Sequence, residues 1–438
     1  MQQRLLNWFA ALALAVCAMP AFAQNGLTLE ISNGTASALP IAVIPFQWQG
    51  GGAPPETNVS DVISNDLNRC GQFRTLAKSD IVENPSRGSD IKFPTWRLLK
   101  QDYITVGRVI DAGAGEVKVE FELYTVGDQK NLASLSLTGQ RSDMRGLAHQ
   151  VADVIYEKIT GVRGAFWTRI AYVTAKGLGN NATYALMIAD SDGYGPQQVV
   201  TSRQPLLSPA WSPDGRKLAY ESFERGSSAI YIQDIATGAR EVVSARKGIN
   251  GAPAFSPDGR KLALALSNGV NPDIYVMDLG SRALTQITKN YAIDTEPVWS
   301  PDGTTIYFTS DRGGKPQIYQ VSAGGGGESR VTFTGDENGK ASVSWDGKKI
   351  AMSQGSKNMY HIAVLDRASG SNTVVSPGNF DESPSFAPNA SMILYAATEG
   401  PRDVLYAVST DGRVRQRLVL ADGDVRSPAW SPYRQRGQ

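Results

Sequence analysis

The sequence has few residues of the kinds that crosslink a chain, bind metals or perform catalysis. Its 438 residues include two cysteines, Cys17 and Cys70, and two histidines, His149 and His361. Because Cys17 lies in the N-terminal apolar run, Cys70 stands alone in the rest of the chain and no disulfide can form there. Stability must therefore come from a large core, and Cys70 is interpreted as a small core residue at the end of a helical stretch.

Familiar catalytic and metal-binding motifs are also missing from the sequence. It has no Gly-x-Ser-x-Gly elbow, no His-Glu-x-x-His helix and no cysteine pair with zinc spacing. The glycine-rich loop 50–55 lacks the Lys-Ser/Thr of a phosphate-binding loop. Asp190-Ser-Asp-Gly193 lacks the later acidic ligands of a calcium loop and is better read as a hairpin turn. We therefore expect no catalytic residue, no metal ligand and no cofactor.

Charge of either sign is not in excess. The sequence has 43 Lys and Arg against 42 Asp and Glu, and removing residues 1–23 takes away only Arg4, which leaves 42 of each. Nucleic acids and anionic membranes call for basic patches or stripes, so neither is expected as the main partner. The length is sufficient for two or more domains.

The N-terminus has the parts of a secretory signal. Arg4 is followed by an apolar run over 5–19 and by the small-x-small site Ala-Phe-Ala at 21–23. We predict cleavage before Gln24 and export of the mature chain. A membrane anchor is the alternative, but the run is short for a span of about 20 residues. A lipoprotein signal at Cys17 is disfavoured by the bulky valine before it.

A heptapeptide repeat dominates the rest of the chain. Pro-Ala-Trp-Ser-Pro-Asp-Gly at 209–215 recurs closely at 253–259 and 297–303, with degenerate copies at 341–347, 384–390 and 428–432. The central positions 211, 255, 299, 343, 386 and 430 are spaced by 44, 44, 44, 43 and 44 residues. Four-stranded propeller blades have periods of about 40–50 residues. The repeat therefore predicts a β-propeller in which Pro-Asp-Gly forms the turn after each first strand.

The two ends of the repeat array predict how the ring closes. Residues 169–201 supply a second, third and fourth strand without a first, whereas 428–432 form a first strand with nothing after it. Together they complete one blade, which predicts six blades and 24 strands latched end to end. Closure removes the exposed strand edges that favour aggregation.

The segment before the propeller alternates strand and helix patterns. Strands are predicted at 27–31, 40–46, 103–106 and 117–123, and helices at 58–69 and from Ser142 onward. The predicted organisation is thus a signal peptide at 1–23, an N-terminal α/β domain at 24–162, and a six-bladed propeller at 163–438.

The residues just before each motif proline are expected at one common end of the propeller channel. Two interpretations remain open: ordinary polar loops, or a recognition rim on a rigid scaffold. These segments are Leu206–Ser208, Ile249–Ala252, Asp294–Glu296, Asp381–Ser383 and Val425–Ser427.

The combination of these features resembles the TolB family, the periplasmic component of the Tol–Pal envelope system. Besides the repeats, the likeness rests on Ile44-Pro-Phe-Gln-Trp48, on 158–166 and 168–173, and on the ending Pro428-Ala-Trp-Ser-Pro-Tyr433. It covers nearly all of the sequence after residue 23. One departure from the pattern is Trp345, which replaces the second proline in the fourth copy of the heptapeptide.

The resemblance implies a monomeric periplasmic scaffold that is not an enzyme. Such a protein links TolA to the peptidoglycan-associated lipoprotein Pal, maintains the outer membrane and supports constriction at division; some bacteriocins use the same surfaces. The Pal site implied at the propeller mouth comprises Leu207, Ser208, Ile249, Asn250, Ala252, Asp294, Thr295, Glu296, Asp381, Glu382, Ser383 and Arg426. The TolA site implied in the N-terminal strand comprises Gln24, Asn25, Gly26, Leu27, Thr28, Leu29, Glu30, Ile31, Ser32, Asn33, Gly34 and Thr35.

The alternation of Leu27, Leu29 and Ile31 suits addition of this segment as a strand to a partner sheet. We further hypothesise that the strand is either free or tucked against the body, and that Pal at the mouth shifts this equilibrium. Because such coupling is reciprocal, the Pal-competent and TolA-competent states should oppose each other.

The residues leave two other functions open. A hydrolytic or lyase propeller would use acids at the mouth, for which Asp294, Glu296, Asp381 and Glu382 are candidates. A propeller that binds glycans would need an aromatic platform at the mouth, and the rim segments contain none.

Overall fold

The computed structural model describes residues 28–31, 38–177, 179–267, 269–418, 420 and 423–435. The predicted signal peptide lies outside these residues. Among them, no helix is both long and apolar enough to cross a membrane.

The first domain is a mixed sheet with helices on both sides. Its strands are β2 (Leu39–Val43), β3 (Gln47–Gln49), β4 (Phe73–Thr75), β5 (Tyr103–Gly113), β6 (Glu116–Thr125) and β7 (Asn131–Gln140). The sheet has the order β4-β2-β5-β6-β7, with β3 paired to β5; β2 is parallel to β4 and β5, and β5, β6 and β7 are antiparallel. The helices are α1 (Val59–Arg69), α2 (Phe93–Leu98) and α3 (Met144–Thr160).

Helices α1 and α3 begin and end where local chemistry places their caps. The Asn58 side chain accepts hydrogen bonds from the first turn of α1, and Asp143 accepts one from Gly146 in α3. Gly161 ends α3 in the left-handed region at φ 77°. Both helices pack on one face of the sheet over an apolar core, and the fully buried Trp96 of α2 anchors a smaller core on the other face.

The remaining strands form six four-stranded antiparallel blades. Blade 1 combines β8 (Arg169–Lys176), β9 (Thr183–Asp190) and β10 (Gln197–Ser202) with the last strand, β31 (Asp424–Trp430). Blade 2 comprises β11 (Leu206–Trp211), β12 (Lys217–Ser222), β13 (Ala229–Asp234) and β14 (Arg240–Ser244). Blade 3 comprises β15 (Asn250–Phe255), β16 (Lys261–Ser267), β17 (Pro272–Asp278) and β18 (Leu284–Gln286).

The other three blades follow in chain order. Blade 4 comprises β19 (Asp294–Trp299), β20 (Thr305–Ser310), β21 (Gln317–Ser322) and β22 (Ser329–Arg330). Blade 5 comprises β23 (Glu337–Val343), β24 (Lys349–Ser356), β25 (Met359–Asp366) and β26 (Asn372–Val374). Blade 6 comprises β27 (Asp381–Phe386), β28 (Met392–Glu399), β29 (Arg402–Ser409) and β30 (Val414–Leu418).

The predicted fold class is confirmed: an α/β domain precedes a six-bladed propeller closed by its two ends. The closing strand β31 pairs antiparallel with β8, so the last strand of the chain is the inner strand of the first blade. The α/β domain contributes one further strand to this ring, because β1 (Thr28–Ile31) pairs with β30 as a fifth strand of blade 6.

The heptapeptide repeats because it performs the same structural role in successive blades. In blade 2 the Ser212 hydroxyl donates to Asp214 at 2.5 Å and accepts from the Lys217 backbone N–H at 2.9 Å, which holds the turn. The motif tryptophans join neighbouring blades, as when Trp211 Nε1 donates to the Ala429 carbonyl at 3.0 Å. The recurring aspartate is thus a turn residue.

Replacing the tryptophan at the ring closure should destabilise the protein far more than replacing an exposed one. Trp430 is 6% exposed and its Nε1 donates to the Thr168 hydroxyl at 2.8 Å, whereas Trp345 is 45% exposed. Trp430→Ala should lower the free energy of unfolding by about 3–5 kcal/mol, because a buried aromatic ring at the latch is lost. Trp345→Ala should change it by less than ~0.5 kcal/mol. Denaturant titration of both variants checks this, and equal losses would contradict a ring held by its latch.

Candidate functional site: the propeller mouth and the N-terminal strand

Topology places two kinds of loop at one end of the propeller. Each inner strand begins at this end, which we call the mouth, so the loops that enter the inner strands and those between second and third strands all meet there. The α/β domain lies at the opposite end, where Arg69 of α1 binds Ser191 and Asn389 contacts the linker before β8. The mouth is therefore open in the described part of the chain.

Every inner strand carries the same bulge at the mouth. The register with the second strand shifts in each of the six blades, and the bulged residue has a positive φ although it is not glycine. Left-handed backbone costs a non-glycine residue roughly 1 kcal/mol, so the surrounding fold must hold this geometry in place. The bulged residues are Ser208, Ala252, Glu296, Lys340, Ser383 and Ser427, with φ between 48° and 57°.

Side chains from the preceding blade hold several of these bulges. The Lys340 backbone N–H donates to Glu296 at 2.9 Å and to the Thr309 hydroxyl at 3.1 Å. The Ser383 backbone N–H donates to the Ser353 hydroxyl at 3.1 Å. These bonds cross from one blade to the next, so the ring of bulges is a connected and pre-organised surface.

Glu221 binds a bulge in the same way but with a buried carboxyl group. It is 8% exposed and accepts a hydrogen bond from the Ala252 backbone N–H. Burial raises the pKa of Glu221 to about 7, although the Ala252 hydrogen bond lowers it.

Two cavities open at the mouth. The bulged residues and the residues that follow them enclose an axial cavity of about 170 Å³. A larger cavity of about 500 Å³ lies to one side and is lined by blades 4, 5 and 6 and by Arg426 of blade 1. Its wall includes Thr295, Glu296, Phe380 and Glu382. The mouth is therefore asymmetric, with a deep side and a shallow side.

Exposed apolar side chains surround these cavities. Aromatic residues lie in the loops entering blades 4, 5 and 6: Tyr291 is 98% exposed, Phe333 75% and Phe380 55%. The expectation that the rim has no aromatic residue is therefore wrong, because these residues precede the short segments from which it was drawn. Other exposed apolar residues at the mouth are Leu207, Ile249, Val270, Ile293 and Met359.

Three of the residues predicted to line the mouth are buried instead. Asn250, Asp294 and Asp381 are 0% exposed and occupy the same position, two residues before each bulge. Asn250 bonds Ser244 and Ser228, Asp294 pairs with Arg312 at 2.8 Å, and Asp381 accepts from the Gly378 backbone N–H at 2.9 Å. Because side chains alternate along a strand, these residues hold the entering loops and do not face a partner.

The other nine predicted residues lie at the mouth. Leu207 and Ile249 are exposed on the rim. The remaining residues line one or both cavities: Ser208, Ala252, Thr295, Glu296, Glu382, Ser383 and Arg426. The structure adds Lys340 from blade 5, whose Nζ pairs with Glu382 at 3.3 Å. The spacing of 44 residues from Glu296 would have found Lys340, although alanine replaces the motif proline after it.

The N-terminal strand lies against its own chain. β1 pairs antiparallel with β30, with Thr28 opposite Arg417 and Ile31 opposite Val414. The rest of the predicted TolA site, residues 24–27 and 32–35, lies outside the described residues. Blade 6 thus carries β1 at its outer edge and Glu382 and Ser383 at the mouth.

A buried ionic network joins the α/β domain to blade 1. His149 Nδ1 lies 2.5 Å from Asp66, whose other oxygen pairs with Arg69 at 3.0 Å, while Arg145 pairs with Asp192. Burial opposes the charged form of His149, but the neighbouring carboxylates, Asp66 above all and then Asp192 and Asp190, together outweigh it and raise the pKa of the imidazole. Ligand atoms of Asp66, His149 and Asp192 lie within 4.8 Å of one another, as in a metal site. The two guanidinium groups already balance carboxylates here, so we read the cluster as an ion-pair network.

This interface predicts that stability falls as pH rises. Asp153 accepts the backbone N–H groups of Phe166 and Trp167, and burial raises its pKa to about 7. An acid whose pKa is higher in the folded state than in the unfolded state destabilises the protein as pH rises. The free energy of unfolding falls between the unfolded pKa of about 4 and the folded pKa, by up to about 1.4 kcal/mol per pH unit. The raised pKa of His149 acts in the same direction, since its contribution is complete below about 6.5 and is lost as pH rises through the folded pKa.

The melting temperature of the protein should therefore be lower at pH 8 than at pH 5. In Asp153→Asn the decrease should be smaller, because the neutral side chain keeps an acceptor oxygen and no longer titrates. Differential scanning calorimetry of both proteins measures this. A melting temperature that rises over this range, or an unchanged slope in the variant, would contradict the assignment.

Comparison with known proteins matches both parts of the chain. The model of the TolB amino-terminal domain matches residues 27–132, and that of the TolB beta propeller domain matches residues 156–434. The chain is 68% identical over 432 residues to the Tol-Pal system protein TolB of Xanthomonas campestris pv. campestris strain B100, covering 98% of both chains. The TolB of Xanthomonas oryzae pv. oryzae strain KACC10331 / KXO85 matches with the same identity and coverage.

A solved structure supports the same relationship. The crystal structure of TolB from Acinetobacter baumannii superposes with a TM-score of 0.85 at 41% identity, covering 93% of this chain and 100% of that chain. Sequence, domain order and three-dimensional structure agree over nearly the whole length. The chain therefore belongs to the TolB family of the Tol–Pal system.

Proposed function

We propose that the protein is a periplasmic scaffold of the Tol–Pal system that binds Pal at the propeller mouth and TolA through its N-terminal strand, and that it catalyses no reaction. By linking the two partners it maintains the outer membrane and supports constriction at division. The observation that carries this proposal is the mouth itself, where exposed aromatic and aliphatic side chains surround a pre-organised polar floor. Protein-binding sites typically combine apolar anchors with a rigid, hydrogen-bonded surround.

The acids at the mouth favour binding over catalysis. Asp294 is buried and paired with Arg312, and Glu382 is paired with Lys340. Glu296 accepts hydrogen bonds from the Thr309 hydroxyl and the Lys340 backbone. A general acid or base must reach a substrate proton, but these carboxylates are occupied within the fold.

The pairing of β1 supports strand addition as the mode of TolA binding. A strand held by main-chain hydrogen bonds to the edge of one sheet presents the same donors and acceptors that another sheet edge would use. TolA would therefore compete with β30 for the N-terminal strand. Release from blade 6 is the first step of binding on this account.

Blade 6 supplies a physical link between the two sites. Its inner strand β27 carries Glu382 and Ser383 at the mouth, and its outer strand β30 holds β1. A partner that displaces or immobilises β27 would act through the hydrogen bonds of this one sheet on β30, and so change how strongly β30 binds β1. This extends the hypothesis that Pal occupancy and TolA binding oppose each other.

Separate calorimetric titrations of the mature protein, from Gln24, test the proposal. The soluble domains of Pal and of TolA from the same organism should each bind with one-to-one saturation. Peptidoglycan fragments form the comparison, since Tyr291, Phe333 and Phe380 also suit a sugar-binding platform. Saturable binding of the fragments without binding of either protein would overturn the scaffold and favour a glycan-binding propeller.

A further inference from the structure

The α/β domain has a long free strand edge on β7. In the described part of the chain, β7 is hydrogen-bonded to β6 alone, so its other side presents unpaired backbone groups. The strand runs from Asn131 to Gln140, and ten residues of strand extend about 33 Å. Its sequence, Asn-Leu-Ala-Ser-Leu-Ser-Leu-Thr-Gly-Gln, contains no charged residue and no proline.

Other described edges are short, interrupted, charged or covered. β4, β18, β22 and β26 have two or three residues, β10 has a bulge, and β14 carries Arg240 and Glu241. β30 contains Arg415 and Arg417 and is covered by β1. Proteins protect strand edges by these same devices. In β7 the register shifts only near the start, between Asn131 and Ala133, and residues 133–140 pair continuously with β6. These eight residues form a longer uncharged and uninterrupted edge than any of the outer strands just compared, so they are available to a partner strand.

The two sides of β7 define what would pair with it. On the helix side, Leu135 lies opposite the buried Phe121 and yet remains 43% exposed, so the apolar layer beneath α3 ends at an uncovered leucine. On the other side, Ser134 and Ser136 line a groove of about 320 Å³ together with Arg108 and Glu120, which are paired with each other. An added strand would therefore bury apolar side chains beside Leu135 and place polar ones over the groove.

We propose that β7 is a second docking site, which accepts an extended, uncharged segment of a partner protein by strand addition. The segment alternates apolar and small polar residues and lies antiparallel to β7. The site is independent of the mouth and of β1, because it belongs to the opposite edge of the α/β sheet from β4. It uses the same binding mode that β1 displays on β30.

A peptide that copies residues 131–140 serves as the probe, because antiparallel pairing centred on Leu135 places leucine opposite Leu135 and the counterpart of Leu137 opposite Ala133. A lysine pair at one end keeps the peptide soluble, and a fluorophore reports binding by anisotropy. We expect saturable binding to the mature protein, with hydrogen exchange slowed at β7 amides. Leu135→Lys should weaken binding about tenfold or more, because it places a charge on the edge, whereas Leu135→Val keeps an apolar strand former.

Four outcomes would overturn the proposal. The first two are that the peptide does not bind saturably, or that it slows hydrogen exchange only in strands other than β7. The other two are that Leu135→Lys binds the peptide as tightly as the wild type, or that the wild-type protein self-associates and Leu135→Lys abolishes this. The last outcome would assign the edge to a second copy of the chain, and light scattering of the unliganded proteins detects it. Equal melting temperatures of the wild type and both variants establish that the fold is intact.

Discussion

Replacing Thr295 by arginine should weaken binding of the Pal soluble domain by about a hundredfold or more. Thr295 lies on the inner strand of blade 4, is half-buried and lines the larger mouth cavity beside Glu296. An arginine would fill this cavity with a long side chain and add a cation close to Lys340. Steric exclusion would then oppose a partner that anchors there.

The matched control is Thr304→Arg, which makes the same change in the same blade. Thr304 is exposed in the turn at the opposite end of the propeller, so its replacement should leave Pal binding within about twofold. Calorimetric titration of both variants, with circular dichroism to check folding, makes the comparison. Equal affinity of Thr295→Arg and the wild type would remove the larger cavity from the Pal site.

Locking the N-terminal strand onto blade 6 should abolish TolA binding. Thr28 and Arg417 are paired across β1 and β30, so cysteines at both positions lie at a separation that antiparallel neighbours bridge. The remaining cysteine, Cys70, is 3% exposed, and burial raises the pKa of its thiol to about 12, which keeps it out of exchange. The oxidised protein should bind TolA about a hundredfold more weakly, because the strand cannot leave β30.

Reduction provides the control for this experiment within one protein. Adding a reductant should restore TolA binding, and Pal should bind in both redox states with equal or greater affinity in the oxidised one. Deleting residues 24–35 should likewise abolish TolA binding and leave Pal binding intact. Unimpaired TolA binding by the oxidised protein would show that TolA uses another surface. If the deletion abolished binding of both TolA and Pal, the two binding sites would not be separate.

The propeller could be predicted from the sequence because its signals are local and repeated. The Ser-Pro-Asp-Gly turn depends on contacts within a few residues, as between Ser212 and Asp214, and its spacing counts the blades. The incomplete first blade predicted the closure by β31. Residue patterns of this kind indicate structure that depends on residues close to one another in the sequence.

The details of the mouth depend on contacts between blades and were predicted less well. Asn250, Asp294 and Asp381 were predicted at the mouth because they lie in the segments just before the motif prolines, although strand alternation turns their side chains away from the channel. A positive φ at Ser208 or Lys340 has no local signature, since glycine is the usual marker of that conformation. The exposed aromatic residues lay outside the motif segments, so the pattern did not include them.

The long-range pairings were beyond the sequence for the same reason. β1 meets β30 across nearly the whole chain, and His149 meets Asp66 across 83 residues. The residues around each member of these pairs contain no pattern that identifies the other member. The sequence could predict a strand and a helix, but only the folded chain brings their partners together.

Coupling of the two binding sites through blade 6 is tested most directly by the TolA affinity measured with and without a saturating concentration of the Pal domain. We expect Pal to weaken TolA binding and TolA to weaken Pal binding by the same factor, since coupling between two equilibria is reciprocal. Fluorescence titration in both directions gives the two factors. Identical TolA affinities in the presence and absence of bound Pal would contradict the account, because the mouth and the N-terminal strand would then be independent.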